Sequence, residues 1–273
     1  MQQAAEDYMQ VVRPIFLQPG RHQDYILNMD QTPIPFTFNE KKTLELIGKQ
    51  TIHIRKSTND TKRVTCAFTV TASSRSLTPF LIFKGSSKGR IVKEFPTFPN
   101  DCKYACQENA WMDKEMMLLW VEQILAPYVT TAPPGIRPIL FLDSFRCHMM
   151  RPVVQAIQDL GVQVEHIPGG CTFPCQPVDI GFNKPLKCKI RKLWEEWMIR
   201  DGLSTGFTRP PSRNHIAQWV STAKDLLTER LVRNAWRHGA YTFFPPTCEE
   251  NPVAALTTVA VATAAAVAAA MTM

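Results

Sequence analysis

The chain has 273 residues, 45% apolar and 10% aromatic, which supports one α/β domain with appendages and excludes wholesale disorder. Lys and Arg outnumber Asp and Glu by 31 to 24, a net +7 that suits a polyanionic partner without singling one out. The opening MQQAAEDYMQ lacks the apolar core of a secretory signal, so the eight cysteines read as mostly free thiols in a reducing compartment.

Residues 1–23 read as a helical lead-in, and 24–28 (DYILN) as a short strand that ends at Asp30. The stretch from there to about Lys62 is polar and carries Lys41, Lys42, Lys49, Arg55 and Lys56. It reads as an insertion with a hairpin around 51–54. From Arg63 the alternation is clean: Val64, Cys66, Phe68 and Val70 share one face of a half-buried strand. Residues 77–83 return antiparallel to it, and 85–110 read as irregular, with Gly, Pro, Asn and Asp throughout. Asp113 is a good cap for a helix that places Met116, Leu119, Trp120 and Ile124 on one face.

The run Ile139, Leu140, Phe141, Leu142 is short and wholly apolar, which predicts a buried parallel strand that delivers Asp143 at its C-terminal end. Pro152 opens the next helix and Gly161 ends it; 162–167 (VQVEHI) is a further strand. A loop then runs from Pro168 to Asp179. A long amphipathic helix over about 182–200 buries Phe182, Leu186, Ile190, Leu193 and Trp197, with Lys184, Lys187 and Arg191 on the opposite side. A linker and a helical pair at about 214–238 make a C-terminal extension, 201–250. The tail, 251–273, is rich in Ala, Val and Thr and reads as low complexity; Ala and Thr drive bilayer insertion weakly, so no membrane span is expected. The Cys102/Cys106 and Cys171/Cys175 spacings do not make a zinc module.

Three antiparallel strands followed by βαβ units predict an α/β fold: a mixed five-stranded sheet with helices on both faces. If the first and fourth strands lie side by side, Asp30 and Asp143 become neighbours, and the loop after the last strand brings Asp179 to the same edge. Taken singly, Asp30 also reads as a turn residue, and Asp143 and Asp179 as helix caps.

That order, with those acids, resembles the RNase H-like fold. The segments NMDQTP (28–33), FLDSFRCH (141–148), IPGG (167–170) and QPVDIGFNKPLK (176–187) resemble the catalytic domain of pogo-type transposases, in the mariner/pogo superfamily of DDE-superfamily endonucleases. FLIFKG (80–85) and NAWMDKEMMLLW (109–120) match the same family between the catalytic blocks, so the likeness covers about 24–200. It implies that Asp30, Asp143 and Asp179 are the catalytic acids and the metal ligands. Gln31 stands where the family often has Glu. Three carboxylates at one sheet edge favour hard divalent cations, so the expected cofactor is Mg²⁺ or Mn²⁺, as two ions with Asp30 bridging. No small-molecule cofactor is expected.

The resemblance further implies hydrolysis and strand transfer of DNA phosphodiesters in the nucleus, with transposon ends and target DNA as partners and a homodimer as the assembly. Lys184, Lys187, Arg191, Lys41 and Lys42 are the expected DNA contacts. His148 is an accessory candidate that orients substrate or packs in the core, and Gln176 shapes the loop presenting Asp179. The family carries helix-turn-helix domains ahead of the catalytic domain, and none precedes the first strand here. A domesticated or truncated derivative that binds DNA or other proteins without transposing is therefore the alternative.

Overall fold

The computed structural model describes residues 2–38, 62–202 and 210–239. Helix α1 (Gln2–Phe16) leads into strand β1 (Ile26–Pro35), and β2 (Arg63–Thr71) and β3 (Phe80–Lys84) follow as an antiparallel meander. Strands β4 (Lys103–Gln107), β5 (Ile139–Asp143) and β6 (Gln163–Ile167) are added in parallel pairings. The sheet order is β4-β3-β2-β1-β5-β6, so β1 and β5 are adjacent as expected.

The sheet has six strands rather than five. The additional one, β4, is KYACQ, an edge strand paired only with β3 and set among Pro, Asn and Asp. An edge strand needs little apolar or β-branched character, so its composition gives no period-two signal. The first strand also runs further than its sequence suggests. It continues through Asp30 to Pro35 because it stays paired with β2, while β5 pairs only with Ile26–Asn28 and leaves the rest of the other side open. Pro33 and Pro35 are tolerated there, as at a sheet edge where the missing N–H has no ladder partner to satisfy.

Alternate strand residues feed two apolar clusters, one on each face. Ile26, Phe68, Val70, Ile139 and Phe141 point to one side, where α1, α6 (Asn183–Trp197), α7 (Arg213–Asp225) and α8 (Glu229–His238) pack. Leu27, Met29, Ile82, Leu140 and Leu142 point to the other side. There they meet α2 (Lys114–Trp120), α3 (Ala126–Val129) and α4 (Arg151–Asp159). Asp113 caps α2 as its sequence predicts, its carboxylate accepting from Met116 N at 3.0 Å. The seven described cysteines are free thiols, all buried except Cys188.

Lys41, Lys42, Arg55, Lys56, the hairpin expected at 51–54 and the tail 251–273 lie outside the described residues. Among the described residues, no helix is long and apolar enough to cross a membrane.

Candidate active site

The site begins where two strands part. The parallel register pairs Ile26 with Ile139, Leu27 with Leu140 and Asn28 with Phe141, and then stops. Beyond it β1 stays with β2 and β5 stays with β6. Asp30 and Asp143 each lie two residues past that last pair, so period two puts both on the face of α6. The fully buried Asn28 occupies the fork. Its Nδ2 donates to the Phe141 carbonyl at 3.1 Å, and its Oδ1 accepts from Val178 N at 3.0 Å. One amide thus ties together the three segments that carry the three acids.

Asp179 is not on a loop. It lies in a helical turn, Val178–Phe182, that runs directly into α6, after the short helix α5 (Thr172–Cys175). Asn183 follows one turn later, and its Nδ2 donates to Asp179 Oδ1 at 2.8 Å and to Asp30 Oδ2 at 3.3 Å. Asp30 is 6% exposed. Burial, then the charge of Asp179 and a hydrogen bond with it, then the charge of Asp143, hold its carboxyl well above the usual range. Lys187, half-buried, continues the same helical row. Burial pulls its ammonium below the ordinary lysine range, and the charges of Asp179 and Asp30 oppose that shift.

Asp143 is held differently. Burial opposes its ionisation, but the hydrogen bond from His148, with that from the Phe145 amide, wins and keeps it below the ordinary value. His148 is fully buried, with Nδ1 2.5 Å from Asp143 Oδ1 and Nε2 2.5 Å from Gln31 Nε2. The tautomer with its proton on Nδ1 donates to the carboxylate and accepts from Gln31, which satisfies every partner in the chain. His148 is therefore a buried link between β1 and the loop after β5, not a group facing open solvent.

The structure thus puts Asp30 and Asp179 in contact and Asp143 within electrostatic reach of Asp30. Among the described residues, no three His, Cys, Asp or Glu side chains form a ready-made metal cage. Lys184 is exposed, whereas Arg191 pairs with Glu195 at 3.2 Å. Gln176 is fully buried, and neither atom of its side-chain amide has a partner among the described residues. Asn28 and Asn183 carry much of this geometry and were not candidates from sequence. Their only signals were two amides near acids, Asn28 within NMD and Asn183 four residues after Asp179.

Residues 61–236 match the model of the DDE superfamily endonucleases. The chain belongs to that family. The match takes in Asp143 and Asp179 and begins after Asp30. Among the DDE domain's relatives is the mouse pogo transposable element with KRAB domain, 26% identical over 215 residues, covering 77% of this chain and 34% of the relative. The human jerky protein homolog is 27% identical over 251 residues, covering 86% and 40%. The chain spans about a third of the length of the pogo relatives it matches. In fold it is similar to the mariner Mos1 paired end complex with Mg, at TM-score 0.54 and 12% identity, covering 86% of this chain and 56% of that one. The Mos1 paired end complex with Mn gives 0.53 and 12%, covering 89% and 62%. These neighbours agree with an RNase H-like fold for this chain.

Proposed function

We propose that this DDE domain is the catalytic core of a pogo-type DNA transposase that cuts and rejoins phosphodiester bonds with Mg²⁺ or Mn²⁺. The observation that carries the reading is the contact between Asp30 and Asp179, bridged by Asn183, with Asp143 nearby. Packing alone gives no reason to press a buried carboxylate against a second, partly buried one, since each loses hydration and they repel. A hard divalent cation relieves both penalties, and carboxylate oxygens are its preferred ligands. The donor set fits such an ion, held by Asp30, Asp143 and Asp179.

When bound, the cation supplies Lewis-acid polarisation of phosphate oxygen and activation of water. The chain's own residues do the rest. Burial and the neighbouring acids raise the Asp30 carboxyl, and a cation held there would favour its ionised form. His148 and the Phe145 amide fix Asp143 in one orientation. Lys187 beside the acids and Lys184 on the preceding turn offer charge to backbone phosphates, while Arg191 offers less because it is paired with Glu195. Lys41 and Lys42 belong to the same proposal from outside the described residues. From Mos1, a mariner protein seen in paired end complexes with Mg and with Mn, the proposal takes a DNA substrate and two copies holding two ends. Such work on DNA belongs in the nucleus.

The test is joining of pre-cut duplex ends by the full chain in Mg²⁺ or Mn²⁺, read on a denaturing gel. Wild type joins, and Asp143→Asn and Asp179→Asn, which remove a charge at nearly constant shape, do not. Joining by either variant at the wild-type rate overturns the assignment.

A further inference from the structure

Asn183 is 7% exposed, and its amide is used on one side only. Nδ2 faces the carboxylates of Asp179 and Asp30, at 2.8 Å and 3.3 Å, while Oδ1 is buried with no hydrogen-bond partner among the described residues. The acids select this orientation, because the reverse one would set the amide oxygen against two carboxylates. A cation between Asp30 and Asp179 reverses the preference, repelling the NH₂ group and attracting the oxygen. The terminal torsion of Asn is broad and roughly two-fold, so a half-turn exchanges the two atoms without moving the helix.

We propose that Asn183 is a fourth protein ligand of the cation site, its side-chain oxygen turning to the ion as the amide flips. The inference rests on the cation reading above. Asp179 and Asn183 are one helical turn apart on one face, so both reach the same point beside Asp30. A neutral amide oxygen is an ordinary ligand for a hard cation and leaves the charge of the site to the acids. The rival role is a clamp, in which the NH₂ group holds the two carboxylates together and competes with the ion. The two roles predict opposite signs.

The experiment measures Mn²⁺ affinity of the full chain without DNA, counting free ion by electron paramagnetic resonance. Asn183→Leu keeps the approximate size and removes both polar atoms. The ligand role expects binding weaker by on the order of tenfold. Unchanged or tighter binding overturns it, tighter binding being the mark of a clamp. Asn183→Asp presents a charged oxygen and is expected to bind Mn²⁺ more tightly than wild type. If the Leu variant does not fold, this variant decides, and equal or weaker binding overturns the proposal. Asp30→Asn separates the two levels of the argument. If it binds Mn²⁺ like wild type, the site and the ligand both fall. If it loses Mn²⁺ while Asn183→Leu keeps it, only the ligand role falls.

Discussion

Asn28→Ala removes the amide that joins β1, β5 and the turn bearing Asp179. Its two hydrogen bonds, at 3.1 and 3.0 Å, are each worth about 0.5–1.5 kcal/mol net. Deleting the acceptor also leaves the buried Val178 N–H without that partner, a further cost of about 1–3 kcal/mol. Together the loss should be about 2–6 kcal/mol, a large share of the roughly 5–15 kcal/mol of a typical domain. Val178 directly precedes Asp179, so the variant should also displace the third acid. A catalytic group about 1 Å out of place can cost on the order of a hundredfold in rate. Ile157→Ala is the control: Ile157 is fully buried in α4, on the opposite face of the sheet, and its truncation costs about 2–5 kcal/mol. Urea titrations give the two stabilities, and joining of pre-cut ends gives the rates under conditions where both variants are folded. Asn28→Ala should join far more slowly than Ile157→Ala. Equal rates, or a stability loss below about 0.5 kcal/mol for Asn28→Ala, would refute the brace.

Four other outcomes are expected. Because the Asp30 carboxyl is raised in the fold, its contribution favours folding below its unfolded value and is lost as pH rises through the folded one. Asp30→Asn should therefore raise the metal-free melting temperature at pH 7; a fall would count against a strained, buried Asp30 carboxyl. His148→Phe keeps the ring and removes both hydrogen bonds, so joining should fall by about tenfold or more with circular dichroism unchanged, and an undiminished rate would show that Asp143 needs no anchor. A Cβ on Gly181 would lie 2.5 Å from Ala235 Cβ, so Gly181→Ala should cost about 1–3 kcal/mol and Ala235→Gly should relieve part of it; strictly additive costs would rule out the contact. Lys224 reaches Asp101 at 3.0 Å; burial opposes both charges, but the hydrogen bonds win, lowering Asp101 and raising Lys224. The Asp101 contribution is full above its unfolded value and lost as pH falls through the folded one, so Lys224→Met should cost about 1 kcal/mol or less at pH 7 and nothing near pH 2, whereas a pH-independent cost would point to packing.

The places of Asp143 and Asp179 in the fold were legible because each sits beside a strong local signal. Asp143 ends an unbroken apolar run, and Asp179 precedes an amphipathic helix of clear period. What was hidden depended on which neighbour each segment acquired. Pro33 and Pro35 look like stops until β5 is seen to leave β1 at Asn28. Pro177 reads as loop chemistry, yet it stands just before the turn Val178–Phe182, where a missing N–H costs a helix nothing. β4 is held by β3 alone, and KYACQ has no pattern of its own to announce it. The bonds of Asn28 span 113 and 150 residues, and that of Asn183 to Asp30 spans 153. No local periodicity encodes such contacts.

On the proposed cation reading, the choice of amides around these acids follows from what a cation site must avoid. A lysine or arginine at position 183 would neutralise Asp30 and Asp179 by pairing with them, and a divalent ion would then have to displace a covalently tethered rival. An apolar side chain there would remove the amide that bridges the two carboxylates, which weakens the metal-free fold. An amide lies between these limits. It donates to both acids without cancelling their charge, and the same group can accept or ligate when the charge balance changes. Gln31 and Asn28 apply the same logic, one through His148 to Asp143 and the other through Val178 to the turn of Asp179. The full positive charge on that helical row, Lys187, is set one turn further along, where burial weakens its ammonium and it can feel the acids without occupying their place. On the proposed cation reading, the fork between β1 and β5 holds the three acids with neutral groups and leaves their charge available to an ion.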